Sequence, residues 1–154
     1  MTCERGTMVT LQLAQATSIL DVALATARER DFAPLAVAIL DAGGHLIAFK
    51  REDGAGFVRF DIAFGKAWGA LGMGFGTREL AERAAKSPIF VASLAAVSQG
   101  RMVPSPGGVL ILGQDDGVLG AVGISGDVGD NDEVCAIFGI EAVGLRAVPG
   151  LRSE

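Results

Sequence analysis

The stretch from Leu35 to Gly54, LAVAILDAGGHLIAFKREDG, constrains the fold more than any other part of the chain. Leu35 to Asp41 is short, almost entirely apolar and rich in branched residues. Ala42-Gly43-Gly44 then supplies the positive φ values that a tight reversal requires, so the stretch reads as a β-hairpin. Side chains alternate across a strand, which puts His45, Ile47, Phe49 and Arg51 on one face of the returning strand and Leu46, Ala48 and Lys50 on the other. At ~3.3 Å per residue, His45 and Arg51 lie about 20 Å apart. One small ligand cannot use both from a single strand, so any site lies at one end of the hairpin or the other.

The rest of the chain reads as helices before, between and after paired strands. Thr10 is placed to cap a helix whose apolar positions Leu13, Ala16, Leu20, Ala23, Leu24 and Ala27 recur at steps of three and four, and which ends before Pro34. After a loop from Glu52 to Phe57, a second helix runs from about Arg59 to Phe75. Gly65, Gly69, Gly72 and Gly76 draw a stripe along one face of it. Each glycine costs roughly 1 kcal/mol in a helix interior relative to alanine, so the stripe implies close approach by another backbone. Thr77 and Ser87-Pro88 mark the starts of two short helices near 78–85 and 88–97. Gln99 to Gly108 is a loop. Val109 to Leu112 and Val118 to Ser125 are strands around the turn Gly113 to Gly117, and Gly120 and Gly123 predict a bulge or a close approach there. A last helix spans about Asp132 to Ala147, with Val134, Ile137, Phe138 and Leu145 facing inward. One further strand has room near Met102. The order α-β-β-α-α-α-β-β-α predicts an α+β domain with a mostly antiparallel sheet of four to five strands. Residues 1–8 are expected to be a disordered tail, 9–147 one domain and 148–154 a second tail.

Composition narrows the function classes. Half of the 154 residues are hydrophobic, yet no apolar run approaches the ~20 residues that a membrane span needs. The apolar excess and the glycine face therefore point to contacts between copies of the chain, a homo-oligomer. A formal charge of −5 without a Lys/Arg cluster argues against nucleic acid as a partner. The start, MTCERGTMVT, has no apolar core of a signal peptide, so a cytoplasmic location is the expectation. Cys3 and Cys135 are too few for a disulfide framework or a four-ligand zinc site. Cys135 reads as a small buried residue.

Familiar catalytic patterns are absent. Gly123-Ile124-Ser125-Gly126-Asp127 lacks the last glycine of a nucleophile elbow, and no dinucleotide or P-loop glycine motif occurs. Asp127, Asp130, Asp132 and Glu133 resemble a calcium loop but miss its central glycine and distal glutamate. Asp130 or Asp132 as the cap of the last helix is the simpler reading. Lys66, the one cation between Arg59 and Arg78, sits among Phe64, Ala67, Trp68 and Ala70. It is either a lysine snorkelling at the surface or an ammonium lowered into an apolar pocket, able to hold a carboxylate or act as a base. Arg51 and Asp53, at the hairpin exit, could pair with each other or with Lys66, and arginine suits bidentate capture of a carboxylate such as a haem propionate. His45 is a turn histidine or a ligand. It is the sole imidazole open to a metal or haem iron, and with no tyrosine in the chain a tyrosinate-ligated iron is excluded.

At these residues the chain resembles the GlcG/HbpS family, also called the haem-degrading domain family. The resemblance rests on Asp41-Ala-Gly-Gly-His45, Lys50-Arg-Glu-Asp-Gly-Ala55, Lys66-Ala67, Pro106-Gly-Gly108, Gly117-Val-Leu-Gly-Ala-Val-Gly-Ile-Ser-Gly126 and Asp132-Glu133. They occur in family order and cover roughly residues 9 to 146. It implies a compact α+β domain that assembles as a homo-oligomer, and relatives that in some cases bind haem or cobalamin-related tetrapyrroles. One branch is a secreted haem and iron sensor; others are encoded beside glycolate or aromatic-acid catabolic enzymes.

The expectation is thus a cytoplasmic oligomeric protein that binds a small anionic ligand, haem first among the candidates. His45 would be the axial iron ligand, and Arg51 and Lys66 would hold the propionates. The alternative is a cofactor-independent isomerase, tautomerase or hydrolase of a small carboxylic acid, with Lys66 or Asp53 as acid or base and Arg51 as anchor. A third is an accessory subunit without a ligand.

Overall fold

The computed structural model of the chain describes residues 9–152. Cys3 and the expected tail at 1–8 lie outside the described residues. In chain order the elements are α1 (Leu13–Glu29), β1 (Ala36–Asp41), β2 (Leu46–Arg51), α2 (Val58–Met73), α3 (Thr77–Lys86), α4 (Pro88–Val97), β3 (Gly108–Leu112), β4 (Val118–Ser125), α5 (Gly129–Ala142) and β5 (Arg146–Val148). The strands form one antiparallel sheet in the order β2-β1-β4-β3-β5. This is the expected α+β architecture, with five strands.

Both faces of the sheet are covered, and that explains the continuous apolar strands. α1 and α5 cover one face, where Ile19, Leu20, Ala136 and Ile140 meet Val37, Ile39, Val109, Val122 and Ile124. α2 covers the other, where Ala67 and Ala70 meet Leu40, Leu110, Leu112 and Ala121. A strand buried on both sides has no polar face to alternate, so β1 as far as Leu40, all of β3 and most of β4 are buried. Gly123 in β4 lies directly beneath α2. A Cβ there would overlap the carbonyl oxygen of Ala63, so the close approach expected at this glycine is made by a helix backbone.

Several boundaries and faces differ from the expectation. α1 is capped by Gln12, whose N–H donates to Gln15 Oε1 at 2.9 Å, and not by Thr10. Thr77 is the first residue of α3 and its cap is Gly76; the Thr77 hydroxyl instead accepts the N–H of Gly108 at 2.8 Å. α5 ends at Ala142, because the chain turns at Gly144 (φ 76°) and residues 146–148 pair with β3. The extra strand is therefore β5, and none forms near Met102. The C-terminal segment is built into the fold: Val148 is buried, and the carbonyls of Pro149 and Gly150 accept the N–H groups of Arg78 and Gly76. Ile137 and Leu145 pack against the core as expected, but Phe138 is 47% exposed, with the Arg30 guanidinium over its ring, and α5 buries Cys135, Ala136, Gly139 and Ile140.

The glycine stripe of α2 is filled from within the chain. The Gly65 Cα faces the Arg101 carbonyl, and Gly69 and Gly72 face Met102, while Gly76 lies beyond the helix. Another backbone does approach closely, and it is the 101–103 segment of the same chain. Among the large apolar side chains that stay exposed are Ile89 and Val97 of α4, 88% and 79% accessible, and Phe57. No helix among the described residues is long and apolar enough to cross a membrane.

Candidate functional site

The β1–β2 turn places the histidine. Gly44 N–H donates to the carbonyl of Asp41 at 3.0 Å and Gly44 adopts φ +83°, a tight turn followed by a left-handed residue. A bulge follows: Ile39 pairs with Ala48 but Leu40 pairs with Leu46, so Ile47 is the extra residue. The bulge inverts the alternation. Ile47 and Ala48 both pack towards the α1 side, whereas Phe49 packs with Ala36, Ala38 and Ala63 towards α2. The expected common face of Ile47 and Phe49 is thereby corrected.

Asp41 organises the turn. Its Oδ1 accepts the N–H groups of Gly43 (2.9 Å) and His45 (3.0 Å) and lies 3.2 Å from His45 Nδ1. The backbone N–H of His45, above all, holds the Asp41 carboxyl below the usual carboxylate range. A carboxylate only accepts, so the neutral imidazole carries its proton on Nδ1, and Nε2 makes no hydrogen bond among the described residues. The His45 side chain is 81% exposed. It borders an open groove of about 400 Å³ whose wall includes Val9, Leu11, Ile47, Val118 and Leu119. On the other side of the turn, Trp68 lies against Gly44.

Both turn glycines matter, for different reasons. Only Gly44 has a positive φ. At Gly43 a Cβ would sit 2.9 Å from the His45 ring. Gly43→Ala is therefore expected to cost under about 1 kcal/mol of stability while displacing the imidazole, whereas Gly44→Ala should cost about 1–2 kcal/mol through its left-handed backbone. Urea unfolding and the His45 ring resonances measure the two effects separately.

The other candidates lie elsewhere. Arg51 and Asp53 line a second groove, about 480 Å³, with Leu24, Arg28 and Pro34 at the far end of β2. There Arg28 pairs with Glu52 at 2.9 Å, and neither Arg51 nor Asp53 forms a salt bridge among the described residues. Lys66 joins neither groove and does not snorkel. It is 3% exposed on α2, and its ammonium donates to the Ile124 carbonyl (2.8 Å) and to Asp132 Oδ2 (3.1 Å). Burial outweighs the attraction between the two, lowering the Lys66 pKa and pushing Asp132 up to about 6. The structure thus separates His45, the groove shared by Arg51 and Asp53, and Lys66 into three places.

The acidic stretch is internally satisfied. Asp127 accepts the N–H groups of Ala33 and Val128 and the amide of Asn131, Asp132 holds Lys66, and Arg78 bridges Asp130 and Glu133. The cap of α5 is Val128, so neither Asp130 nor Asp132 fills that position. Among the described residues no group of three or more His, Cys, Asp or Glu is arranged to hold a metal ion. Cys135 is buried, which pushes its thiol up to about 11. Asp41 is the site residue that the sequence reading passed over. An aspartate opening a glycine-rich turn, four residues before a histidine, was the available signal.

Comparison with known proteins agrees with this architecture. The family model described as haem degrading protein HbpS-like matches residues 11–141. An uncharacterised 15.0 kDa protein from the dhaT-dhaS intergenic region of Citrobacter freundii is 30% identical over 129 residues, 84% of this chain and 89% of that one. Among solved structures, the PduOC:heme complex superposes with a TM-score of 0.80 at 28% identity, covering 89% of this chain and 97% of that one. Klebsiella pneumoniae protein ORFY gives 0.79 at 25% identity over 94% and 98% of the two chains. A double mutant of Streptomyces reticuli HbpS gives 0.77 at 28% identity over 94% of each. With the family model spanning all but the ends of the domain, the chain belongs to the HbpS-like haem-degrading protein family.

Proposed function

We propose that this chain is a cytoplasmic, homo-oligomeric haem-binding protein in which His45 ligates the iron. The observation that carries the reading is His45 itself: Nδ1 is engaged by a carboxylate, Nε2 has no hydrogen-bond partner among the described residues, and the ring borders a groove with apolar walls. That donor set fits a haem iron, for which a neutral imidazole with an outward nitrogen is the common protein ligand, beside apolar surface for a macrocycle edge. A structural relative solved as a haem complex supports the same ligand. Lys66 serves as a buried clamp with Asp132 and does not reach a propionate. Arg51, without a salt-bridge partner among the described residues, is the cation left to take one, and its place at the opposite end of β2 means that it acts on a haem held by another copy.

The test is an absorbance titration of apo-protein with haemin. A saturable Soret shift is expected in the wild type and its loss in His45→Ala, with the thermal midpoint unchanged because the ring packs in no core. Quenching of Trp68, the sole tryptophan in a chain without tyrosine, follows binding independently. A Soret change that survives in His45→Ala removes His45 from the iron. The oligomer rests on the exposed apolar residues of α4 and on Phe57, and light scattering near 15.8 kDa at micromolar concentration would refute it.

One observation favours a second reading. Arg51 and Asp53 share a groove, as an enzyme that anchors a small carboxylic acid and moves a proton would need. In that case Asp53→Asn removes turnover and His45→Ala does not.

A further inference from the structure

We propose that Asp41 is a positioning residue for haem-iron ligation: its carboxylate fixes His45 in the Nδ1–H form, turns Nε2 outward and strengthens it as an electron donor, favouring ferric over ferrous iron. The inference rests on the haem reading above and adds to it a residue and a direction of redox control.

Three contacts made by one oxygen carry the argument. Asp41 Oδ1 is held by the backbone N–H groups of Gly43 and His45 at 2.9 and 3.0 Å and lies 3.2 Å from His45 Nδ1. The two backbone contacts anchor the carboxylate to the turn, so it cannot swing away when the ring moves. The third then sets both the tautomer and the plane of the ring. Gly43 completes the arrangement, since a side chain there would meet the imidazole at 2.9 Å. A histidine whose far nitrogen donates to an anion is a more basic ligand than a free imidazole, and such outer partners tune metals in proteins generally. Greater donation stabilises the higher charge on iron, hence the ferric state.

Asp41→Asn separates geometry from charge. Its amide oxygen still accepts the two backbone N–H groups, so the turn and the thermal midpoint are retained, while the negative charge at Nδ1 is lost. In the apo-protein, ring ¹⁵N shifts should report the Nδ1–H form in the wild type and a mixture with the Nε2–H form in Asp41→Asn. In the haem complex the ferric preference should fall about tenfold, which for a one-electron couple is a rise of about 59 mV in reduction potential. Should Asp41→Asn unfold the turn, Asp41→Ser supplies a neutral acceptor to the same N–H groups and is read in the same way. An unchanged tautomer together with an unchanged potential, while haem stays bound through His45, overturns the role of Asp41 alone. Failure of the wild type to bind haemin overturns the haem reading and this inference with it, even if the tautomer is as described.

Discussion

Replacing Lys66 with alanine is expected to destabilise the fold by about 3–5 kcal/mol, the range for removing one partner of a buried ion pair. The loss has two sources. Asp132, 1% exposed, keeps a buried charge without its cation, and the Ile124 carbonyl loses the ammonium that donates to it. Urea unfolding measures the effect, with Arg51→Ala as the exposed control at about 0.5 kcal/mol or less. A Lys66→Ala midpoint close to wild type would mean that the ammonium is not buried against Asp132. The same pair gives a pH signature. The folded pKa of Asp132, about 6, lies above the roughly 3.9 of an unfolded aspartate, so the folded state holds this proton where the unfolded chain has released it. The stability from this group is therefore fully present below about pH 4 and is lost as pH rises through about 6. Subtracting the unfolding free energy of Asp132→Asn, which cannot titrate at this position, isolates the effect. The wild-type advantage should shrink between pH 4 and 7, and growth over that range would contradict the assignment.

How much of this was legible in the sequence depends on the range of the interaction. β1, β3 and β4 announce themselves because burial on both faces leaves continuous apolar runs, and α4 because Ser87-Pro88 starts it. The bulge at Ile47 left no mark, since it depends on the pairing between two strands and not on either alone. β5 was absorbed into the helical period of α5 because three residues are too few to establish a period of their own. The glycine stripe showed correctly that a backbone approaches α2, but it could not say whose. The contact comes from Arg101 and Met102, far along the chain. The site follows the same rule. His45 was visible as the only imidazole, and Asp41 was within reach through a local turn. Lys66 was visible only as a lone cation in an apolar helix, because its partner stands 66 positions away.

Gly123→Val is expected to cost at least about 3 kcal/mol, the upper end of overpacking losses, although strand propensity alone predicts a gain of up to about 1 kcal/mol from valine. Sterics decide the sign. A Cβ at 123 would overlap the Ala63 carbonyl and reach within 2.8 Å of Ala67 N, and both belong to the backbone of α2. Helix backbone cannot rotate aside as a side chain can, so α2 must lift from the sheet or β4 must bend. Either movement acts next on Lys66, which lies between Ala63 and Ala67 on α2 and donates to the carbonyl of Ile124, the residue after Gly123. The two sites therefore share one contact surface, and their losses should not add. In a double-mutant cycle the combined loss of Gly123→Val and Lys66→Ala should fall short of the sum of the single losses by about 0.5–3 kcal/mol, the range for coupled neighbours. Additivity within about 0.5 kcal/mol would show that α2 does not seat its lysine through the glycine beneath it.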